Sequence, residues 1–258
     1  MATMTLTGES NHNSNQPAAS TPEPADEPAG MTLMGHIEEL RKRLLISIVA
    51  MLITTVISFS FAEQLIDLLA SPIGGIESLQ SIEVTETIGV FMRVSLLSGF
   101  ILALPVILIE AYLFVSAGLK ESEKRWIRAG IPVAMILFVS GAAFAQFVML
   151  RNALPFLLGF IDVQAVPRIS NYVNFVTNLM FWIGLCFETP LLAFLLAKLN
   201  IITAKVMLQQ WRIAIVVIAV LAAVITPTVD PINMGLVMAP LIIIYLLSVL
   251  FAALAKRR

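Results

Sequence analysis

Six long runs of uncharged, largely apolar residues decide what this chain can become. Residues 44–61 give 18 of them, 94–109 give 16, 129–150 give 22, 169–187 give 19, 213–226 give 14 and 233–255 give 23. Runs of about this length with no charge read as membrane spans. With 59% of 258 residues apolar, 13% charged and a mean hydropathy of +0.92, the chain holds more apolar surface than a soluble domain of its size could bury. An ordinary water-soluble enzyme is excluded. The expected fold is an all-α membrane protein with six transmembrane helices.

The second run continues toward Leu119 through Pro105, a kink position. The fourth passes Glu188 and Pro190 before a further apolar turn to Ala197. The fifth is too short, since at 1.5 Å per residue it reaches about 21 Å against a hydrocarbon core of about 30 Å. Thr226-Pro227-Thr228-Val229-Asp230-Pro231 forces a tight turn, so the fifth and sixth helices read as a short hairpin beside which the bilayer thins. The alternative is a less tilted fifth helix to which lipid adapts.

Charge sets the orientation. Of 16 lysines and arginines, 13 flank one side of the spans, and only Arg93, Arg151 and Arg168 fall on the other. Under the positive-inside rule both termini are cytoplasmic. Residues 1–30 are rich in Ser, Asn, Thr, Pro and acids, hold no Lys or Arg, and read as a disordered polar tail rather than a cleaved signal. The transmembrane domain is then 31–255, beginning in structure near Thr32, and 256–258 is a basic cytoplasmic end. The outer segment 62–90 alternates acids with Leu65, Ile66, Leu68 and Leu69 and predicts short amphipathic helices at the interface; 151–170 predicts a similar cap.

Much chemistry is absent. The net charge of −1 gives no pull toward nucleic acid. One cysteine, Cys186, and two histidines, His12 and His36, support neither a disulfide nor a metal site. The sequence has no phosphate-binding loop and no serine-hydrolase elbow. No cofactor and no catalysis are expected. Gly141-Ala142-Ala143 suits close helix packing.

Three polar features remain. His36, Glu39 and Arg43 share a helix face, and a Glu39–Arg43 pair with membrane anchoring accounts for the spacing alone. Phe114 through Arg125 reads by itself as a solvated charged turn. Glu188 stands inside an apolar stretch, where a charge costs about 2.5–3.5 kcal/mol on insertion scales and so faces protein or trapped water. Glu110, nearer a helix end, can snorkel to the interface.

Taken in order, His36-Ile-Glu-Glu39-Leu-Arg-Lys-Arg-Leu-Leu, Ser71-Pro72, Leu104-Pro105-Val106-Ile107, Phe114 through Glu123, Phe187-Glu188-Thr189-Pro190, Thr226-Pro227 with Asp230, and Pro240 resemble the TatC family, the multi-spanning core of the twin-arginine protein translocase. The resemblance runs from about Met34 to Leu254. It implies a concave, glove-like bundle in the inner (plasma) membrane that binds twin-arginine signal peptides of folded cargo. It also implies export driven by the proton gradient, and homo- and hetero-oligomers with single-span TatA/TatB-type helices. By the same resemblance Glu39 and Glu123 face the twin arginines, with His36, Leu40, Arg41 and Phe114 near them. Pro72 is an outer-loop structural residue, Glu188 lies in the concave face, and Thr226 and Asp230 belong to the partner-contact region. The chain departs from the family at Ala117, usually Pro, at Glu110 and Met234, usually Gln, and at Leu246, often Glu.

Carboxylates suit this task because arginine offers a planar fork that binds them bidentately and keeps its charge. Exposed ion pairs contribute only about 0.2–1 kcal/mol each, so the acids confer selectivity, and the signal's apolar segment supplies the remaining affinity. A rival from another class is an ion-coupled transporter of small solutes using Glu110 and Glu188. The lack of an internal repeat weighs against it. A third reading is an assembly scaffold without a substrate of its own.

Overall fold

The computed structural model describes residues 33–116, 121–159, 167–226 and 231–255. The expectations placed on 1–30, Ala117, Pro227, Thr228, Asp230 and 256–258 lie outside the described residues. Residues up to Glu38 form one unit and those from Glu39 onward another. Of the first, 33–38 are helical, and Met34, His36, Ile37 and Glu38 are exposed.

Helices account for nearly all the described residues. Five helical stretches are long and apolar enough to cross a bilayer: Met34–Phe59, Glu86–Ser116, Glu123–Pro155, Ile169–Lys198 and Met234–Ala255; Trp211–Ile225 is a shorter apolar helix. All six expected apolar helices are present, five of them at spanning length. Most outrun their apolar runs, because backbone hydrogen bonding continues where flanking polar side chains reach water.

Helix α1 (Leu33–Phe59) meets α3 (Glu86–Ser116) through small and polar groups. Thr54 Oγ1 donates to the Gly99 carbonyl at 2.8 Å, and the Ser58 and Ser98 hydroxyls hydrogen-bond. A Cβ on Gly99 would lie 2.6 Å from Thr55 Cα, so only glycine permits this approach. In lipid such packing replaces the hydrophobic drive that is missing between helices. Only 6% of the most apolar stretch of α1 is buried.

Between those helices lies α2 (Ala62–Ala70), whose buried residues Ala62, Ile66, Leu69 and Ala70 follow a helical stripe. This is the amphipathic helix expected of the outer segment. A 3₁₀ turn, Ser71–Ile73, follows with Pro72 in its first positions, and Gly74 and Gly75 both take φ near +100°, where glycine carries no Cβ penalty.

Helix α4 (Glu121–Phe144) passes through a π turn, Ala145–Met149, into α5 (Leu150–Gly159). Residues 151–159 therefore continue the helix of the third span, and 160–166 of the expected cap lie outside the described residues. Gln146 in the π turn is buried and donates from Nε2 to the carbonyls of Leu68 and Leu69 at 2.9 and 3.3 Å. The Tyr172 hydroxyl donates to Leu69 O at 2.8 Å. The last carbonyls of a helix have no intrahelical partner; these two side chains serve those of Leu68 and Leu69, and Gly75 N serves that of Ala70.

Helix α6 (Ile169–Phe187) crosses α4 at Gly141 and Gly184. A Cβ on Gly141 would stand 2.9 Å from Gly184 Cα and 2.7 Å from the Phe187 ring. Close packing is thus the role of this glycine. The connections that precede α3 and α6 join: Gln80 N donates to Pro167 O at 3.1 Å and Ile169 N to Gln80 O at 2.9 Å. Arg168 binds Glu83 at 2.7 Å and also donates to Glu86; Ile82 N donates to the other Glu86 oxygen at 3.1 Å. The Glu83 carboxylate, followed by Glu86, raises the Arg168 guanidinium above its ordinary pKa.

Glu188 separates α6 from α7 (Thr189–Lys198), and Pro190 in the first turn of α7 has no N–H with which to continue the α6 ladder. Helix α7 packs along α10 (Pro231–Ala255), where the Thr189 and Ser248 hydroxyls lie 3.2 Å apart. The Lys198 ammonium sits 4.7 Å over the Trp126 ring, and that ring also packs on Phe194. Thr203 caps α8 (Ala204–Gln209) by accepting from Val206 N, and the Tyr245 hydroxyl ties α8 to α10 through Met207 O at 2.6 Å.

Helix α9 (Trp211–Ile225) has 15 residues and rises about 22 Å. It is short, as the sequence implies. The sixth helix is not: α10 has 25 residues, because Pro231 opens the helix at a position where proline is well tolerated. The short-hairpin expectation is corrected to one short helix beside a full span.

Candidate functional site

Glu39 and Arg43 stand one turn apart on α1, and the expected pair forms. Arg43 Nη2 and Nε donate to Glu39 Oε1 at 2.7 and 3.0 Å. The remaining arm, Nη1, donates to Glu110 Oε2 on α3 at 3.0 Å. One guanidinium thus bridges two carboxylates on different helices. The side chains are 16%, 23% and 13% exposed for Glu39, Arg43 and Glu110, so water screens this cluster less than a surface pair. Glu39 Oε2 is buried and has no hydrogen-bond partner.

Glu110 is the residue that sequence reasoning undervalued. It does not snorkel free; it holds Arg43. A signal was available, because the expected topology brings the start of the first span and the end of the second to one side. A carboxylate and a surplus cation there invite pairing.

The other end of this region is fixed by a second arginine. Arg128 on α4 donates from Nη2 to the Tyr112 hydroxyl at 3.2 Å and stacks over that ring at 5.7 Å. The starts of α1 and α4 are therefore both tied to the last turns of α3, at Glu110 and Tyr112. Glu123 lies half-buried in the first turn of α4, and Phe114 is half-buried in the final turn of α3. Leu40 is 46% exposed, and Arg41 is exposed beside it. His36 belongs to the N-terminal unit and is exposed.

Two further polar positions lie elsewhere. Glu188 is half-buried at the α6–α7 break, with Oε1 buried and unpartnered. Thr226 caps α9, donates to Ala222 O at 2.9 Å and is buried. It borders an apolar cavity of about 260 Å³ with Phe144, Val148, Phe175, Val237 and Pro240. Met234 is half-buried and Leu246 is 56% exposed. With Glu110 committed to Arg43, the ion-coupled transporter reading loses one of its two acids.

Comparison with known proteins gives a consistent result. The family described as Sec-independent protein translocase protein (TatC) matches residues 35–240. The Sec-independent protein translocase protein TatC of Carboxydothermus hydrogenoformans is 37% identical over 229 residues, covering 88% of this chain and 94% of its own length. TatC of Aquifex aeolicus is also 37% identical, over 88% of this chain and 97% of its own length. The crystal structure of a twin arginine translocase receptor, TatC, superposes with a TM-score of 0.77 at 36% identity, covering 86% of this chain and all of the other.

Proposed function

Since this chain belongs to the TatC family of Sec-independent protein translocase proteins, we propose that it acts as the signal-peptide receptor and core subunit of a twin-arginine translocase. It is a multi-pass membrane protein. The proposal orients it with both termini in the cytoplasm of a cell whose inner membrane it spans, in keeping with the 13 lysines and arginines on that side. Folded cargo is its freight, and the proton gradient its driving force.

The observation that carries the reading is the buried, unpartnered oxygen of Glu39 on a helix tied to the same end of α3 as the start of α4. It is a carboxylate acceptor still lacking a donor, the kind of group that a guanidinium pairs with. Glu123 supplies the second acid, and Leu40, next to Glu39, and Phe114, nine residues before Glu123, supply apolar contacts. The test is photocrosslinking of a twin-arginine signal peptide to the protein in membranes, against a Lys-Lys variant. Crosslinks near Glu39 that fall about tenfold for Lys-Lys support the assignment; equal yields overturn it.

Glu188, Thr226 and Asp230 take the partner role in this proposal. Single-span TatA/TatB-type helices dock beside α9, where Thr226 borders an apolar cavity, and Glu188 offers a polar contact in an apolar surrounding. Glu188→Leu is expected to lower recovery of single-span partners with the protein while leaving signal crosslinking intact. Unchanged recovery would remove Glu188 from the partner surface.

A further inference from the structure

Helices α4, α7 and α10 line an apolar groove of about 400 Å³. Val133 and Leu137 face it from α4, Pro190 and Leu191 from α7, and Leu247 and Phe251 from α10. Helix α7 packs on both neighbours: a Cβ on Gly130 of α4 would lie 3.6 Å from the Leu195 side chain, and the Thr189 hydroxyl meets that of Ser248 on α10. Among the described lining residues Ser140 alone is polar, and its hydroxyl donates to the Leu137 carbonyl at 2.8 Å. Along its length the groove therefore offers a ligand apolar contact. Polar chemistry is confined to one end. Lys198, seven residues past Leu191 and so about 10 Å farther along α7, reaches both of the other helices. Its ammonium lies 4.7 Å over the Trp126 ring of α4 and donates to Ala255 O of α10 at 3.5 Å. Ala255 stands one turn past Phe251, so this contact closes the end of the groove. An ammonium has three donors, and one long bond to a carbonyl leaves two for a ligand. Trp126 is 45% exposed, as suits an indole at the headgroup level of a bilayer. The sequence continues past Ala255 with Lys256, Arg257 and Arg258, which adds positive charge to the same side.

We propose that this groove binds one anionic phospholipid, with an acyl chain along Leu137, Leu191 and Leu247 and the phosphate at the Lys198 ammonium. A long apolar body with a single negative end is the ligand that matches an apolar groove closed by a cation. Basic pockets between spans on the cytoplasmic side hold such headgroups. An uncharged lipid or an apolar helix would fill the groove but leave the cation unused. The orientation proposed above puts this end in the cytoplasmic leaflet; the ligand class does not depend on it. Through Phe144, Pro240 and Ile243 the groove abuts the cavity that Thr226 borders, so the bound lipid lies next to the proposed partner surface.

The test is native mass spectrometry of the full chain incubated with phosphatidylglycerol or with phosphatidylcholine of the same acyl chains. Preferential retention of one phosphatidylglycerol is expected. Lys198→Gln is expected to lower that retention about fivefold, the scale of one basic residue beside a headgroup, and to leave phosphatidylcholine as in the parent. Lys198→Arg keeps the charge and should bind like the parent, which separates lost charge from misfolding. Lys205→Gln removes an exposed lysine of α8 and should change nothing. Leu247→Trp narrows the groove and should lower retention of both lipids. Equal retention of the two lipids by the parent overturns the proposal, and so does unchanged retention in Lys198→Gln or in Leu247→Trp. An equal fall in Lys205→Gln overturns it too, since the attraction would then belong to the whole surface. In membranes, a photoreactive amino acid in place of Leu247 should give an adduct of phospholipid mass. An adduct with a single-span protein or a second copy of the chain would replace the lipid by a helix.

Discussion

Glu39→Lys is expected to reduce signal-peptide crosslinking about a hundredfold. Truncating one partner of a desolvated, hydrogen-bonded charge pair costs roughly 2–5 kcal/mol in binding, and each 1.4 kcal/mol is a factor of ten. Reversing the charge goes further than truncation. The new ammonium would face Arg43 in a setting where Glu39 is now only 16% exposed, and it would repel the arginines it formerly attracted. Helix α1 has another hold on the neighbouring helix through Thr54, Ser58 and the Gly99 approach. The variant should therefore remain inserted and folded, which a melting curve in detergent would verify. Glu123→Lys should give a similar loss, because the proposal places the second arginine on that acid. Normal crosslinking in both variants would sink the assignment.

The second large effect concerns the fold. Gly141→Val is expected to lower stability by about 3 kcal/mol, at the upper end of the usual overpacking range. The side chain would meet Gly184 Cα at 2.9 Å and the Phe187 ring at 2.7 Å. Backbone cannot swing aside as a flexible side chain can, so α4 and α6 would have to separate. That crossing also buries Phe138 and Ile183, and their contacts would loosen with it. Gly235→Ala is the control, since nothing lies within 4 Å of a Cβ there. Thermal unfolding should show a large drop for the first and none for the second. A Gly141→Val protein that melts with the parent would refute the packing argument.

The spans were legible because hydropathy and chain geometry act locally. A charge-free run must be satisfied within its own helix once in lipid, so all six helices could be read from residue order. The amphipathic stripe of α2 and the brevity of α9 were readable for the same reason. The end of the third span was not, because α5 continues through a π turn whose Gln146 answers carbonyls 77 and 78 residues earlier. The 23-residue run of the sixth helix gave its length to within two residues, and the error lay in reading it as one arm of a short hairpin from the brevity of its neighbour. In the candidate site, the Glu39–Arg43 pair followed from a four-residue spacing. Glu110 joins it across 67 residues, a contact that no local pattern specifies. Locating Glu39 and Glu123 as receptor acids came from the family resemblance, because short charged stretches beside spans are ordinary membrane anchors.

The clasp made by Arg168 bears on how the polypeptide is made. Glu86 waits for a partner that the ribosome adds 82 residues later. Until then a carboxylate, now 4% exposed, has no counter-charge from that arginine. The clasp between the two connections is therefore a late event in synthesis: it can close only once residue 168 has been made.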